Sequence, residues 1–262
     1  MMHALSDQAA GLRRLFRRAP PAVFALFTVG RAPQRLATRT LQALTEGGRR
    51  VVVLDEHPDA RGSLFSAFGL DGGVDLLAAL EGHLDIGEVM REAAEGLWLV
   101  RAAATVQAAP WLDVRHRARL EEGIVELQRR AEVLAIHALG DVDSLTPFAR
   151  AAARRLLVVE ASGVGARGAC QWIKGLAAAG AGSLEVAVSG ARDRADATAL
   201  FASLSDYTSR NVGLPLVWRG EVERDSLAEA MTTPLGERHP AEGANAFVRR
   251  LQAWSARTGA AG

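Results

Sequence analysis

The chain has 262 residues, enough for one large domain or at most two with a sizeable buried core. Hydrophobic residues make up 49% and charged residues 23%, ordinary values for a folded protein that exclude extended disorder. The 31 Lys+Arg and 30 Asp+Glu residues leave a formal charge of +1, which marks neither a strongly basic nucleic-acid binder nor an acidic tail.

The first predicted element is a helix over Asp7–Arg18. Leu5, Ala9, Leu12 and Phe16 share one face, while Arg13, Arg14, Arg17 and Arg18 crowd the others. Ser6 or Asp7 can cap its start, and Ala19-Pro20-Pro21 ends it. Two readings are open: a helix packed on its own domain, or a basic amphipathic helix offered to a partner groove or a membrane surface. No apolar core followed by a cleavage site marks a secretion signal here, and no apolar run along the chain reaches the roughly 18 residues of a membrane span.

Short apolar runs then alternate with helical spacing. Strands are predicted at Val23–Val29, Arg50–Glu56, Leu97–Ala102, Glu132–Leu139, Leu156–Ala161, Leu184–Ser189 and Leu214–Arg219. Several are apolar nearly throughout, as strands buried on both faces are. Helices are predicted at Leu36–Leu44, Val114–Arg130, Ala166–Ala179, Ala195–Arg210 and Ala241–Thr258. This alternation predicts an α/β fold, a doubly wound and mostly parallel sheet with helices on both faces. The organisation is an N-terminal helical segment, 1–20, followed by one α/β domain, 21–262.

In such a fold the turn after the first strand is the usual phosphate site. Here it reads Thr28-Val29-Gly30-Arg31-Ala32-Pro33-Gln34-Arg35-Leu36. A phosphate loop needs several glycines, a lysine and a Ser/Thr for magnesium. This turn has Gly30 alone, Pro33 without an N–H, and no lysine; the only lysine in the chain is Lys174. Arg31 and Arg35 fit weak anion binding or a solvated basic turn. Asp55, His57 and His137 fall at the carboxyl ends of predicted strands. They fit a metal-binding trio or partly buried and loop histidines, and both readings stay open. Ser162-Gly163-Val164-Gly165 reads as a tight strand-to-helix turn, since it lacks the dinucleotide spacing. Ser66, Ser189 and Ser226 lack a nucleophile-elbow context. The lone Cys170 allows no internal disulfide, which points to a reducing cytosol, and it reads as a core thiol.

The run Val23–Asp55, with its strand, turn, helix, Gly48-Arg49-Arg50 and strand ending in Leu54-Asp55, resembles the opening of MinD/ParA-type ATPases, P-loop NTPase-type proteins. In that family the turn is longer, glycine-rich and carries two lysines. The family's switch-region aspartate falls on His57 and the aspartate of the later strand on His137; Asp55 alone matches. The segments Gly73–Gly82, Ile86–Val89, Gly96–Ala103, Phe201–Asp225 and Ala244–Phe247 are similar to the flagellar-number regulator branch, the FlhG/FleN type. So is Asp7-Gln8-Ala9-Ala10-Gly11-Leu12-Arg13, which in that branch engages the flagellar signal-recognition-particle-type GTPase, FlhF, and stimulates GTP hydrolysis.

The resemblance implies a MinD-like fold with a lost P-loop, and a degenerate nucleotide site at Gly30, Arg31, Arg35, Asp55, His57 and His137. It implies no ATP, no metal and no catalysis by this chain. Partner binding falls to Asp7, Gln8, Leu12, Arg13 and Phe16. The implied partner is FlhF, with flagellar switch-complex (C-ring) proteins as further candidates and no direct nucleic acid. The implied state is a cytoplasmic monomer, at the inner membrane or cell pole if a last helix offers Phe247, Leu251 and Trp254 to lipid; the same helix also reads as one packed on the sheet. The alternatives are a MinD-like scaffold serving cellulose secretion or cell division, and an ATPase with an altered phosphate loop.

Overall fold

The structure, a computed structural model, describes residues 21–58, 62–138, 145–233 and 246–259. The predicted helix over Asp7–Arg18, with Asp7, Gln8, Leu12, Arg13 and Phe16, lies outside the described residues, as does the side chain of Trp254. In chain order the elements begin with β1 (Ala22–Val29), α1 (Pro33–Thr45), β2 (Val51–Asp55), α2 (Leu64–Ala67), α3 (Leu77–Glu81) and α4 (Ile86–Val89). There follow β3 (Met90–Ala94), β4 (Leu97–Arg101), α5 (Ala103–Ala108) with a 3-10 turn (Ala109–Trp111), α6 (Val114–Arg130) and β5 (Val133–His137). The remainder is α7 (Pro147–Ala151), β6 (Arg154–Glu160), α8 (Gly163–Ala178), β7 (Leu184–Ser189), α9 (Arg194–Asn211), β8 (Leu216–Glu221), α10 (Leu227–Thr232) and α11 (Ala246–Gly259).

One sheet of eight strands runs in the order β3-β4-β2-β5-β1-β6-β7-β8. Every pairing is parallel except β3 with β4. The predicted doubly wound architecture is therefore the observed one. β1 explains the continuous apolar runs: Ala25, Phe27 and Val29 enter one core, while Phe24 and Leu26 enter the other. Side chains alternate across a strand, so a strand covered on both faces must be apolar at every position. The first core is closed by Leu120, Ile124 and Leu127 of α6, Ile173 and Leu176 of α8, and Leu204 of α9. The second is closed by Leu36, Leu41 and Leu44 of α1, Leu64 and Phe65 of α2, and Leu227 and Met231 of α10.

Two of the three side chains read as a possible lipid face on the last helix lie instead in the core. Phe247 and Leu251 are buried, with Val248, in the first core, and Phe247 meets Phe148 of α7 edge-on at 6.4 Å between ring centres. Burying one such side chain contributes about 1.5–3 kcal/mol, so turning all three outward would take a large part of the stability of an ordinary domain. The described part of the α11 stripe, Phe247, Val248 and Leu251, serves the domain's own core. Among the described residues no helix is long and apolar enough to cross a membrane.

Candidate functional site

The carboxyl ends of β1, β2, β5 and β6 meet where the sheet's winding reverses, the place an open α/β sheet offers to ligands. Register decides what meets there. Asp55 pairs with His137 across β2 and β5, and Val29 pairs with Val159 across β1 and β6, which sets Gly30 beside Glu160.

Asp55 is the hub of the first half. It is 1% exposed, and its carboxylate accepts hydrogen bonds from the Ser63 hydroxyl and the Leu64 amide, each at 2.8 Å. Its other oxygen lies 2.8 Å from Nδ1 of His137, which is 4% exposed. The His57 ring stacks on that of His137, with centres 4.5 Å apart. Burial pushes the Asp55 carboxyl up, but the hydrogen bond and charge of His137, with the Ser63 and Leu64 donors, outweigh it and hold the carboxyl below its ordinary value. Next along the chain, Glu56 is fully buried, and both its carboxylate oxygens lie 2.8 Å from the Thr146 hydroxyl at the start of α7. Three of the expected site residues, Asp55, His57 and His137, are thus brought together. Among the described residues, however, no group of three or more His, Cys, Asp or Glu side chains could hold a metal ion. The metal reading of that trio is set aside, and the cluster is a hydrogen-bonded clasp between β2, β5 and the start of α2.

The second half is the β1–α1 turn. Its first free backbone donor, the Arg31 amide, gives its hydrogen to Oε2 of Glu160 at 2.6 Å. A Cβ on Gly30 would fall 2.5 Å from that same oxygen, so glycine is what lets the carboxylate approach. The Thr28 hydroxyl donates to the Pro33 carbonyl at 3.1 Å and closes the turn. Gln34 donates from its side chain to the Ser63 carbonyl at 2.6 Å and ties the turn to the Asp55 clasp. Arg31 and Arg35 are exposed, with no carboxylate partner among the described residues, as a solvated basic turn would have them. Ser162 caps α8 through the Gly165 amide, and a Cβ at Gly165 would strike the Glu160 carbonyl at 2.1 Å. Ser162–Gly165 is the tight strand-to-helix turn expected. Cys170 is half-buried and packs against the first core.

Sequence reasoning missed Glu160, Glu56 and Ser63. Glu160 is 129 positions from Arg31, and only the β1–β6 register joins them. Removing its carboxylate has a readable consequence. In Glu160→Ala the Arg31 amide is expected to exchange with solvent about tenfold faster or more, since a charge-assisted hydrogen bond contributes about 1.5–3 kcal/mol. Hydrogen exchange resolved to residues 30–36 reads this directly. An unchanged Arg31 rate would show that the carboxylate does not hold the turn.

No family model matches the chain, and no curated protein matches it. Solved structures do. It is similar to a ParA family ATPase from Chlorobium tepidum TLS, at 15% identity and TM-score 0.52, over 91% of this chain and 99% of that one. It is similar to MinD in the MinC:MinD cell division protein complex of Aquifex aeolicus, at 18% identity and TM-score 0.51, over 89% and 96%. It is also similar to the cobyrinic acid a,c-diamide synthase of Mycobacterium smegmatis with bound ADP and magnesium, at 18% identity and TM-score 0.53, over 81% and 91%. The fold is that of the MinD and ParA ATPases. Those neighbours differ in what they do, so the fold leaves the activity to be argued from the site.

Proposed function

We propose that this chain is a nucleotide-independent, MinD-like regulator that acts by binding a protein partner rather than by catalysis. The observation that carries the reading is the Glu160 carboxylate on the Arg31 amide. A triphosphate at this turn needs backbone N–H groups, a lysine and a magnesium-bound hydroxyl. The turn offers instead an amide already taken by an anion, Pro33 with no N–H, and no lysine. At the Arg31 amide an incoming phosphate would meet the like charge of Glu160. The residues present do not fit a magnesium nucleotide. The neighbouring clasp points the same way: the aspartate that would tend magnesium at the end of β5 is His137, spent on Asp55.

The partner in this reading is the FlhF-type GTPase, and the contact is the segment 1–20, through Asp7, Gln8, Leu12, Arg13 and Phe16. Its support is the Asp7–Arg13 pattern of the sequence. A short helix of this kind acts by ordering a partner's catalytic groups, as activating proteins do for other NTPases. The chain would then serve flagellar number or placement as a monomer in the cytoplasm, at the membrane surface or pole. The MinD of Aquifex aeolicus, a protein of this fold found in complex with MinC, favours a second reading in which the domain is a scaffold for another protein, in cell division or secretion.

GTP turnover by the FlhF-type GTPase of the same genome separates them, measured without ATP. The intact chain is expected to raise the rate about tenfold or more, within the range that an activating group in trans supplies. The chain lacking residues 1–20 is expected to give no increase. No stimulation by the intact chain would overturn the activator reading and leave the scaffold reading in its place.

A further inference from the structure

Between α5 and α6 the chain carries its two most exposed large apolar side chains among the described residues. Trp111 is 86% exposed and Val114 is 82% exposed. The other two exposed apolar side chains, Val74 and Val164, are 37% and 41% exposed and lie on other segments. An indole in water forgoes one of the largest apolar burials any side chain can make, so its presentation needs a reason. The base beneath it is firm. Leu112 is 7% exposed, Ala109 is 2% exposed, Pro110 stiffens the turn, and α11 packs against it. Little conformational entropy is left to lose when the tip is covered.

We propose that Trp111 and Val114 form the tip of a peripheral contact with an anionic lipid surface. Two observations choose lipid over a protein. The apolar area is two side chains on a turn, whereas a stable protein interface buries about 800 Å² on each partner. Tryptophan at the headgroup level is suited to small apolar insertions, its ring apolar and its N–H free for water or a phosphate ester. The collar is basic on the same turn of α6. Arg115 is exposed and Arg117 half-buried, and neither has a carboxylate partner among the described residues. One carboxylate shares the turn: Asp113 is exposed and keeps its negative charge, held below its ordinary value by the amide and ring of His116, both at 2.8 Å, so the two arginines outnumber it by one. Glu121 and Glu122 lie two turns further along the helix, about 10 Å from Val114 at 1.5 Å per residue. Each arginine near an anionic surface adds to the attraction within a Debye length. This contact is independent of the GTPase partner, and it lies on the turn that α11 supports, while Phe247 and Leu251 of α11 are buried.

Flotation of the full chain with vesicles tests it. One set is phosphatidylcholine alone; the other is equal parts phosphatidylcholine and phosphatidylglycerol. Binding is expected to the anionic set, weakening as salt is raised. The pair Trp111→Ser and Val114→Ser should lower it about tenfold or more, the loss expected for exposing a large apolar side chain. Arg115→Glu should lower anionic-vesicle binding while thermal melting stays unchanged, since its side chain, like those of Trp111 and Val114, sits at the surface. Failure of the full chain to bind anionic vesicles overturns the proposal. So does binding that survives the Trp111/Val114 pair, which would place the contact in 1–20 or elsewhere. Equal binding to both vesicle sets overturns the charged collar. Self-association that the Trp111→Ser change abolishes would overturn the lipid assignment and make a second copy of the chain the occupant.

Discussion

Replacing Glu185 by alanine is expected to lower the unfolding free energy by about 3–5 kcal/mol. Glu185 of β7 is 1% exposed, and its carboxylate holds two guanidiniums. Arg154 of β6 donates to it from Nε and Nη2, each at 2.7 Å, and Arg219 of β8 donates from Nε at 2.6 Å. The arginine side chains are 15% and 9% exposed, so removing the acid leaves two poorly solvated cations facing each other across β7. Nη2 of Arg219 already lacks a partner with the acid in place. Denaturant titration of Glu185→Ala reads the loss as a shift in midpoint at constant slope. The same argument gives its own control: apolar residues at all three positions should recover much of the loss, because the penalty comes from stranded charge rather than from a missing attraction. A loss below about 1 kcal/mol in the alanine variant would show that water reaches the cluster.

That triad was invisible in the sequence for the same reason that Glu160 was. Leu184–Ser189 is legible as a strand, and its limits agree with β7. Nothing local says that Glu185 lies between Arg154 and Arg219, because that depends on β7 sitting between β6 and β8 in register. The parallel strands were readable because double-sided burial writes itself into composition. Thus Arg50–Glu56 and Glu132–Leu139 bracket β2 and β5, while Leu214–Arg219 begins two positions before β8 and ends two positions short of it. β3 escaped. Met90–Ala94 is an edge strand with Arg91 and Glu92 in it, polar as edges are, and it hangs on β4 through a turn whose Gly96 has φ +76°. The short helices escaped as well, since four to six residues carry no period. At the site, the proximity of His57 to His137 could be anticipated from their positions at strand ends. The use of His137, to hold Asp55, could not.

Asp55→Ala is expected to cost about 3 kcal/mol near neutral pH, and the cost is expected to shrink in acid. Three donors converge on this buried carboxylate: the Ser63 hydroxyl, the Leu64 amide and the His137 ring. Each buried donor left without an acceptor costs about 1–3 kcal/mol, and the stack of His57 on His137 loses the group that orients it. The pH dependence follows from the direction of the shift. Burial works to raise the Asp55 carboxyl, and the His137 contact with the Ser63 and Leu64 hydrogen bonds lowers it by more, so the folded state binds its proton later than the unfolded chain does on acidification. The stabilisation is therefore whole above the ordinary carboxylate range, near about pH 3.9, and fades as pH falls through the lower folded value. Urea midpoints of the two proteins should differ by a constant amount from neutrality to about pH 5 and converge below about pH 4. A difference that stayed flat into acid would mean that Asp55 gains nothing from its charge and acts by shape alone. Convergence would identify the carboxylate that the fold places at its ligand edge as a structural anion, matched by Glu160 on the neighbouring turn.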